Sequence, residues 1–283
     1  PTDLIINPDG SSYHLNLRPD QIPNTLILVG DPERVPTVSH YFDEVTEIIH
    51  KREFVTHLGI LNGKRIGVLS SGIGADNVEI VMNEIDALVN IDFQTRLEKS
   101  EKRSLQLIRI GTSGSIQAHI PVDSILISSA AIGFDNLSQF YGFDSAMSIS
   151  AEVLALWTKA IDFPLPLYAA KASTSLCAQF APLQAFNGVT LTAPGFYAPQ
   201  GRTIRMHSLR PDFLKKVAAA KLGDQEITNI EMETAAYYAF AGAMGHEMIS
   251  LNAILANRIT NEFSTDPEGQ IRSLIEKAIA LIA

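Results

Sequence analysis

Arginine residues recur near glycine and small polar residues at the ends of three apolar segments of this chain. Arg34 lies four residues after Gly30, Arg109 lies three residues before Thr112, and Arg258 follows a third apolar run. Glycine leaves backbone N–H groups free to bind an oxyanion, and arginine adds a planar guanidinium group that is always charged. The pattern predicts a site for phosphate or another small tetrahedral anion.

Two carboxylates, those of Glu231 and Glu233, flank Met232 at the start of an otherwise apolar segment. An ionised carboxylate beside a buried segment is costly unless it is paired or hydrogen-bonded. The apolar pattern predicts a helix over 231–245, and residues two apart on a helix point to roughly opposite sides. We therefore do not expect both carboxylates to face one ligand. The alternative is that they only complement the dipole at the start of this helix.

Apolar strands alternate with helical patterns along the chain, which predicts an α/β fold. We expect a single domain over residues 1–283, with a central, mixed, twisted sheet flanked by helices on both faces. The predicted strands are 25–30, 52–61, 64–71, 105–111, 123–133 and 247–257, and the predicted helices are 74–90, 211–223, 231–245 and 268–283. Asn62-Gly63 predicts a tight hairpin, and the charged segment 93–104 and the segment 111–114 are predicted loops. In such sheets ligands bind beyond the carboxyl ends of the strands.

Composition excludes several classes of protein. The chain has 283 residues and a formal net charge of −9, so no basic field is expected to attract nucleic acid. We expect no internal disulfide, because Cys177 is the single cysteine, and we interpret it as a core residue. Neither a signal peptide nor a membrane-spanning run is recognisable, so we expect a cytoplasmic protein without membrane association. The histidines lack metal-ligand spacing, so no metal site is expected.

Six short motifs follow one another along the chain. They are VGDPERV (29–35), HKREF (50–54), SSGIG (70–74), RIGTSGSI (109–116), EMET (231–234) and ANR (256–258). Their order and spacings resemble those of the nucleoside phosphorylase family. Within that family the chain is most similar to the uridine phosphorylases, and the resemblance runs from about residue 13 to the last helix.

The resemblance implies a phosphate site shared between two copies of the chain. Gly30, Arg34, Arg109 and Thr112 would bind phosphate, and Arg52 would be lent to the same phosphate across a dimer interface. His14 would reach the ribose 5′-hydroxyl of the neighbouring copy. We therefore expect a homo-oligomer, either a dimer or a hexamer of dimers. The resemblance also implies an interface site for an alkali cation near Glu53, Ile73 and Asn77.

The resemblance assigns the sugar and base sites as well. Glu233 would accept hydrogen bonds from the ribose 2′- and 3′-hydroxyls, Met232 would pack against the sugar, and Glu231 would make a secondary or structural contact. The base would stack on Phe196 and be read by Gln200 and Arg202. Glutamine donates and accepts one hydrogen bond each, as an imide edge requires, and arginine can stabilise charge that develops on the leaving base.

The implied reaction is reversible phosphorolysis of a pyrimidine nucleoside, with uridine and phosphate giving uracil and ribose 1-phosphate. The catalytic arginines would be Arg34, Arg109 and Arg202, inorganic phosphate would be the co-substrate, and no cofactor is required. Purine-cleaving relatives place an acidic residue where this chain has Asn257, which argues against a purine substrate. Two alternatives stay open: a purine nucleoside phosphorylase on the same fold, and a catalytically silent nucleoside-binding or storage protein.

Overall fold

The computed structural model describes residues 2–143 and 148–282 of the chain. Strands and helices alternate along the described residues. The strands are β1 (Thr25–Val29), β2 (Glu44–Lys51), β3 (Phe54–Leu61), β4 (Lys64–Ser70), β5 (Gln106–Ser115), β6 (Ile125–Gly133), β7 (Tyr168–Lys171), β8 (Phe186–Thr192), β9 (Lys221–Leu222), β10 (Gln225–Glu231), β11 (Glu247–Asn257) and β12 (Glu262–Phe263). The α-helices are α1 (Arg34–Ser39), α2 (Ala75–Asn90), α3 (Ala151–Ile161), α4 (Thr174–Phe180), α5 (Phe213–Ala219), α6 (Thr234–Met244) and α7 (Pro267–Ile282). Short 3₁₀ helices cover Pro19–Gln21, Leu137–Gln139, Ala181–Leu183 and Ala198–Gln200.

The strands form one mixed sheet, as predicted, and part of it closes on itself. Its order is β12-β11-β6-β8-β10-β5-β1-β4-β3-β2, with β7 on β6 and β9 on β10. The long strand β11 also pairs in parallel with β5, which places β5, β11, β6, β8 and β10 in a closed ring of five strands. Strands β1, β4, β3 and β2 extend from β5 as an open sheet that ends at β2, and the short strands β7, β9 and β12 add to β6, β10 and β11 of the ring. The RIGTSGSI motif lies on β5 and the EMET motif begins at the end of β10. The ring brings these two motifs together, because β5 and β10 are neighbours in it.

The predicted hairpin at Asn62-Gly63 is confirmed. β3 and β4 pair in antiparallel register from Leu61↔Lys64 onward, and the two turn residues have φ values of 48° and 73°. Positive φ at both central positions defines the turn that matches the twist of the flanking strands.

Helices α2 and α6 position the site from behind the sheet. The predicted core positions of α2, which are Val78, Val81, Ile85 and Leu88, are all fully buried. Helix α6 is buried on every side along Thr234–Ala241, because it packs between α2 and the sheet strands. A helix without a solvated face holds its N-terminus in a fixed place. That N-terminus begins directly after Glu233.

Three predicted boundaries are wrong. The helix predicted over 211–223 is α5, which ends at Ala219, and Gly223 instead forms the turn of a hairpin between β9 and β10 with a φ of 60°. The loop predicted over 111–114 is part of β5, because β11 supplies a parallel partner as far as Ser115. The helix predicted from residue 231 begins at Thr234.

The sulfur of Cys177 is half-buried on α4, against the main core. Burial raises the pKa of this thiol above its ordinary value, so the folded protein holds less thiolate at any given pH than an unfolded chain does. We expect the iodoacetamide labelling rate of the native protein to keep rising with pH beyond the ordinary thiol pKa. The reference is the chain unfolded in urea, whose labelling rate should titrate at the ordinary thiol pKa. Coincident titration curves would contradict this expectation.

Within residues 2–143 and 148–282, no helix has the length and apolarity needed to cross a membrane.

Candidate active site

A cavity of about 630 Å³ lies at the carboxyl ends of β1, β10 and β11 and along β5 from Arg109 to Gly114. It brings together ten of the predicted site residues from distant parts of the chain. They are Gly30, Arg34, Arg109 and Thr112 for phosphate, Glu231, Met232 and Glu233 for the sugar, and Phe196, Gln200 and Arg202 for the base. Their placement at strand ends agrees with the position of ligand sites in α/β sheets.

Arg109 is the central cation of the cavity and is 5% exposed. Its Nη2 atom lies 2.6 Å from Glu233 Oε2 and 3.3 Å from Glu231 Oε2. Burial lowers its pKa, but the two carboxylates more than offset that effect, so the pKa of Arg109 is raised and the group stays charged. Gly111 makes this position possible, because a Cβ atom there would lie 1.9 Å from Arg109 Nη1. The Arg109 side chain therefore lies along its own strand, over Gly111.

Both glutamates face the same guanidinium group, so the prediction that a helix separates them is wrong. Glu231 is the last residue of β10 and Glu233 precedes the first residue of α6. A strand end followed by a turn lets alternate side chains share one side of the backbone. Two carboxylates and one arginine thus form a single buried ionic cluster.

The carboxylate of Glu231 is saturated by neighbouring donors. Its Oε1 accepts from Thr192 Oγ1 at 2.6 Å, and its Oε2 accepts from the Glu233 N–H at 3.0 Å and from Thr234 Oγ1 at 2.9 Å. The Thr234 N–H also donates to Oε2 at 2.9 Å. With these partners, Glu231 fixes the turn between β10 and α6 rather than offering oxygens to a ligand.

The carboxylate of Glu233 has fewer partners. Oε1 accepts from the Gly74 N–H at 2.8 Å and Oε2 accepts from Arg109 at 2.6 Å. Each carboxylate oxygen has two lone-pair sites, so both oxygens can accept a further hydrogen bond from the cavity. Burial raises the pKa of Glu233; the Arg109 charge lowers it, and the Glu231 charge raises it again.

A second arginine, Arg34, lies half-buried at the start of α1. Its Nη1 donates to the Ile110 carbonyl at 3.4 Å. Burial lowers the pKa of Arg34, and the charge of Asp31 opposes that effect. Gly30 also lines this part of the cavity. A Cβ atom added to Gly30 would lie 3.5 Å from the Gly72 carbonyl oxygen, so the backbone segments of these two glycines meet closely here. Two converging guanidinium groups suit a dianion.

The opposite end of the cavity carries an aromatic ring and a polar pair. The Arg202 guanidinium lies 3.8 Å from the centroid of the Phe196 ring, and its Nη1 donates to Gln200 Oε1 at 2.7 Å. Gln200 is 3% exposed, whereas Phe196 is 50% exposed. Burial, together with the nearby charge of Arg258, lowers the pKa of Arg202 to about 10. Phe196 is thus a half-exposed ring at the cavity, with the Arg202 guanidinium over it and a buried amide beside it.

Asn257 does not line this cavity, which removes the argument that its type excludes a purine substrate. Its Nδ2 donates to the Gln117 and Ile120 carbonyls at 2.9 Å, and its Oδ1 accepts from the N–H groups of Ile259 and Thr260. The side chain is therefore a structural bracket. The cavity wall at this point is formed instead by Leu255 and Ala256, together with Phe263. A register shift between Ile254 and Ala256 interrupts the alternation of side chains along β11, so alternation in the sequence does not predict that Leu255 and Ala256 both line the cavity.

The two residues predicted to act across an interface lie outside the cavity. His14 pairs with Glu84 at 2.6 Å, and Arg52 is exposed at the tip of the β2–β3 hairpin. Tyr13 joins them into one surface region: its ring contacts the His14 ring edge-on at a centroid distance of 4.8 Å, and the Arg52 guanidinium lies 5.9 Å from its centroid. Both assignments stay predictions.

The cation candidates do lie together at the cavity. Glu53, Ile73 and Asn77 all line it, and Asn77 Nδ2 donates to the Ile73 carbonyl at 3.3 Å. The part of the chain that the structure describes holds no group of three or more histidine, cysteine, aspartate or glutamate residues arranged for a metal ion. An alkali cation at these three residues stays a prediction.

Residues 24–283 match the model of the phosphorylase superfamily, and the chain therefore belongs to that superfamily. Among individual relatives, it is 30% identical over 275 residues to the uridine phosphorylase of Thermococcus kodakarensis, across 97% of this chain and 88% of that protein. It is 28% identical over 273 residues to the DeoD-type purine nucleoside phosphorylase of Bacillus thuringiensis, across 95% and 97% of the two proteins.

The fold is also shared with a solved structure. The nucleoside phosphorylase of Trypanosoma brucei, described as showing uridine phosphorylase activity, superposes with a TM-score of 0.86 at 28% identity. The match covers 99% of this chain and 98% of that chain. The predicted fold class and the predicted family are confirmed.

Proposed function

We propose that this chain catalyses the reversible phosphorolysis of a pyrimidine nucleoside, converting uridine and phosphate to uracil and ribose 1-phosphate. One observation carries the proposal. A single cavity holds the buried Arg109–Glu233 pair at one end and Phe196, Gln200 and Arg202 at the other. The similarity to uridine phosphorylases supports the same reading.

The geometry supports a mechanism based on positioning and charge. Phosphate bound by Arg34 and Arg109 attacks the anomeric carbon of the sugar while Glu233 holds the ribose hydroxyls. The glycosidic bond breaks as the new C–O bond forms, and its electron pair leaves with the base. Gln200 and Arg202 stabilise the negative charge on the base until it takes up a proton from water. No covalent enzyme intermediate is needed, and the anomeric centre inverts once.

Purine nucleosides are the second candidate class of substrate, because a purine nucleoside phosphorylase is also among the relatives. The base end of the cavity favours a pyrimidine. Gln200 presents a buried amide whose oxygen is already bound by Arg202, so the pair offers donor groups to an imide carbonyl. Within the residues that line the cavity at this end, none is an acid able to protonate a purine nitrogen. A silent nucleoside-binding protein would have no use for a phosphate site built from the buried Arg109 and the half-buried Arg34.

The test is base release from four nucleosides with and without phosphate. We expect uridine to be cleaved in phosphate buffer, with thymidine as the second pyrimidine, and inosine and adenosine to be cleaved at least tenfold more slowly, which corresponds to about 1.4 kcal/mol of discrimination. Replacing phosphate with an inert buffer should abolish release of uracil. Turnover of inosine without turnover of uridine would contradict the pyrimidine assignment, and turnover without phosphate would contradict phosphorolysis.

We also propose that the working enzyme is a homo-oligomer, either a dimer or a hexamer, in which Arg52 and His14 complete the site of a neighbouring copy. Their shared position around Tyr13, outside their own cavity, supports this arrangement. The reaction requires inorganic phosphate as co-substrate and no other cofactor, with an alkali cation near Asn77 as an interface ligand. The absence of a disulfide framework supports a cytoplasmic location.

A further inference from the structure

The hydroxyl group of Tyr237 is buried within reach of the charges of Arg109 and Glu233 and has no role in the mechanism above. Tyr237 is fully buried on the first turn of α6, where its N–H donates to the Glu233 carbonyl at 3.1 Å. Among the described residues, its hydroxyl has no hydrogen-bond partner of good geometry. A buried hydroxyl without a partner is uncommon and costs stability.

The neighbouring tyrosine shows what a structural hydroxyl looks like on the same helix. Tyr238 donates to the Ser128 carbonyl at 2.6 Å and accepts from the Ser250 N–H at 2.8 Å. Both of its interactions join α6 to the sheet. Because the Tyr237 hydroxyl makes no such bond, a phenylalanine in its place would fill the same space without the desolvation cost.

Two charged residues that line the cavity, Arg109 and Glu233, act on the Tyr237 hydroxyl, as does the buried hydroxyl of Ser71 behind the lining. Burial raises the pKa of Tyr237, whereas the Ser71 hydroxyl and the charge of Arg109 lower it and the charge of Glu233 raises it. Ser71 is 2% exposed, and its own hydroxyl donates to the Gly72 carbonyl at 3.1 Å. Because the Ser71 hydroxyl donates its one proton to this carbonyl, its oxygen keeps a lone pair that can accept a hydrogen bond from another donor.

Ser71 begins a short segment, residues 71–74, that we call the 71–74 loop. Gly72 and Ile73 of this loop line the cavity. Its last residue, Gly74, donates its N–H to Glu233 Oε1 at 2.8 Å. The loop thus connects the neighbourhood of Tyr237 at one end to the carboxylate of Glu233 at the other.

We propose that Tyr237 is a positioning residue, whose hydroxyl donates to Ser71 when nucleoside is bound and so fixes the 71–74 loop and the Gly74 bond to Glu233. Glu233 then presents its free lone pairs to the sugar hydroxyls in one orientation. The inference rests on the proposed function, because it concerns the sugar-binding step of the same site. It assigns Tyr237 no contact with the substrate.

The test is Tyr237→Phe, assayed with uridine and phosphate as separately varied substrates. We expect kcat/KM for uridine to fall roughly fivefold to tenfold, as for loss of one buried hydrogen bond, while KM for phosphate changes by less than about twofold. We expect the melting temperature of the ligand-free protein to stay the same or to rise. A lower melting temperature, or an unchanged kcat/KM for uridine, would overturn the proposal.

A double-mutant cycle separates positioning through Glu233 from a general effect. In the Glu233→Gln background, Tyr237→Phe should cause no further loss, because the carboxylate that it positions is gone. Losses that multiply in the double variant would overturn the proposal. Tyr238→Phe is the matched control: it removes a bonded hydroxyl from the same helix and should lower the melting temperature instead.

The wild-type protein reports on the proposed function independently. If it cleaves no nucleoside in phosphate, the proposed function fails, and the Tyr237 inference is then judged by calorimetric titration with uridine. In that case weaker uridine binding by Tyr237→Phe than by wild type supports the positioning role. Equal binding overturns it.

Discussion

Replacing Arg109 with alanine is expected to lower kcat/KM for phosphorolysis by roughly a thousandfold, or about 4 kcal/mol. Arg109 is a buried cation beside Glu231 and Glu233, with Nη2 2.6 Å from Glu233 Oε2. Its removal takes a phosphate donor from the cavity and also leaves Glu231 and Glu233 buried together without a counter-ion. Like charges at this distance disfavour ionisation, so the pKa of Glu233, already raised by burial, should rise further. Steady-state rates over a range of phosphate concentrations check this, and KM for phosphate should increase together with the loss of kcat.

The same variant should be less stable, since removal of one partner from a buried ion pair typically costs about 3–5 kcal/mol. Arg109→Lys separates the two effects: it keeps the charge and much of the stability but loses the planar fork that binds an oxyanion at two points. Arg65→Ala is the matched control, because Arg65 donates only to the backbone carbonyls of Asp20 and Gln21 outside the cavity. If Arg109→Ala kept phosphate-dependent release of base within about threefold of wild type, the anion site would be misassigned.

Local patterns predicted the elements that need no distant partner. The hairpin at Asn62-Gly63 and the buried face of α2 follow from turn chemistry and from helical periodicity, both of which act over a few residues. Ten site residues that line the cavity were predicted from sequence: the strand-end glycines and arginines suggested an anion site by their residue types, and the sugar and base residues were implied by the family resemblance. Their convergence follows from the general position of ligand sites in α/β sheets.

Other features depend on partners far away in the chain. The segment 111–114 is a strand only because β11 pairs with it, and no local signal reports that pairing. The prediction started α6 too early, at Glu231, because glutamate is a common residue at helix N-termini. In the structure, Glu231 pairs with Thr192 of β8 in the sheet. Tertiary pairing overrides local preference in both cases.

The direction of single side chains was the least predictable property. Asn257 stands in a motif that resembles a substrate-binding segment, yet its side chain donates to the Gln117 and Ile120 carbonyls instead of lining the cavity. Tyr237 lies in the apolar segment predicted as a helix, and nothing in the sequence distinguishes its hydroxyl from that of Tyr238. The unbonded hydroxyl of Tyr237 is visible only when every polar neighbour has a position.

Replacing Glu233 with glutamine is expected to lower kcat/KM for uridine roughly a hundredfold, or about 2.7 kcal/mol, within the range for a hydrogen bond to a charged group. The carboxylate accepts from the Gly74 N–H at 2.8 Å and from Arg109 at 2.6 Å. A glutamine has one oxygen for these two donors, so its amide must face one of them donor to donor. The group no longer attracts the sugar hydroxyls with a charge, and its orientation is no longer fixed from both sides.

The dependence of the loss on the sugar identifies its cause. Glu233→Gln should lower the turnover of uridine more than that of 2′-deoxyuridine, because the deoxy sugar lacks one of the hydroxyls that would donate a hydrogen bond to the carboxylate. Glu231→Gln is the matched control. The Glu231 oxygens already accept hydrogen bonds from Thr192, Glu233 and Thr234. Substitution of Glu231 should therefore lower the melting temperature and reduce the turnover of both nucleosides by the same factor. Equal losses for the two sugars in Glu233→Gln would instead mean that this carboxylate acts only by holding Arg109, and the sugar-binding role would be wrong.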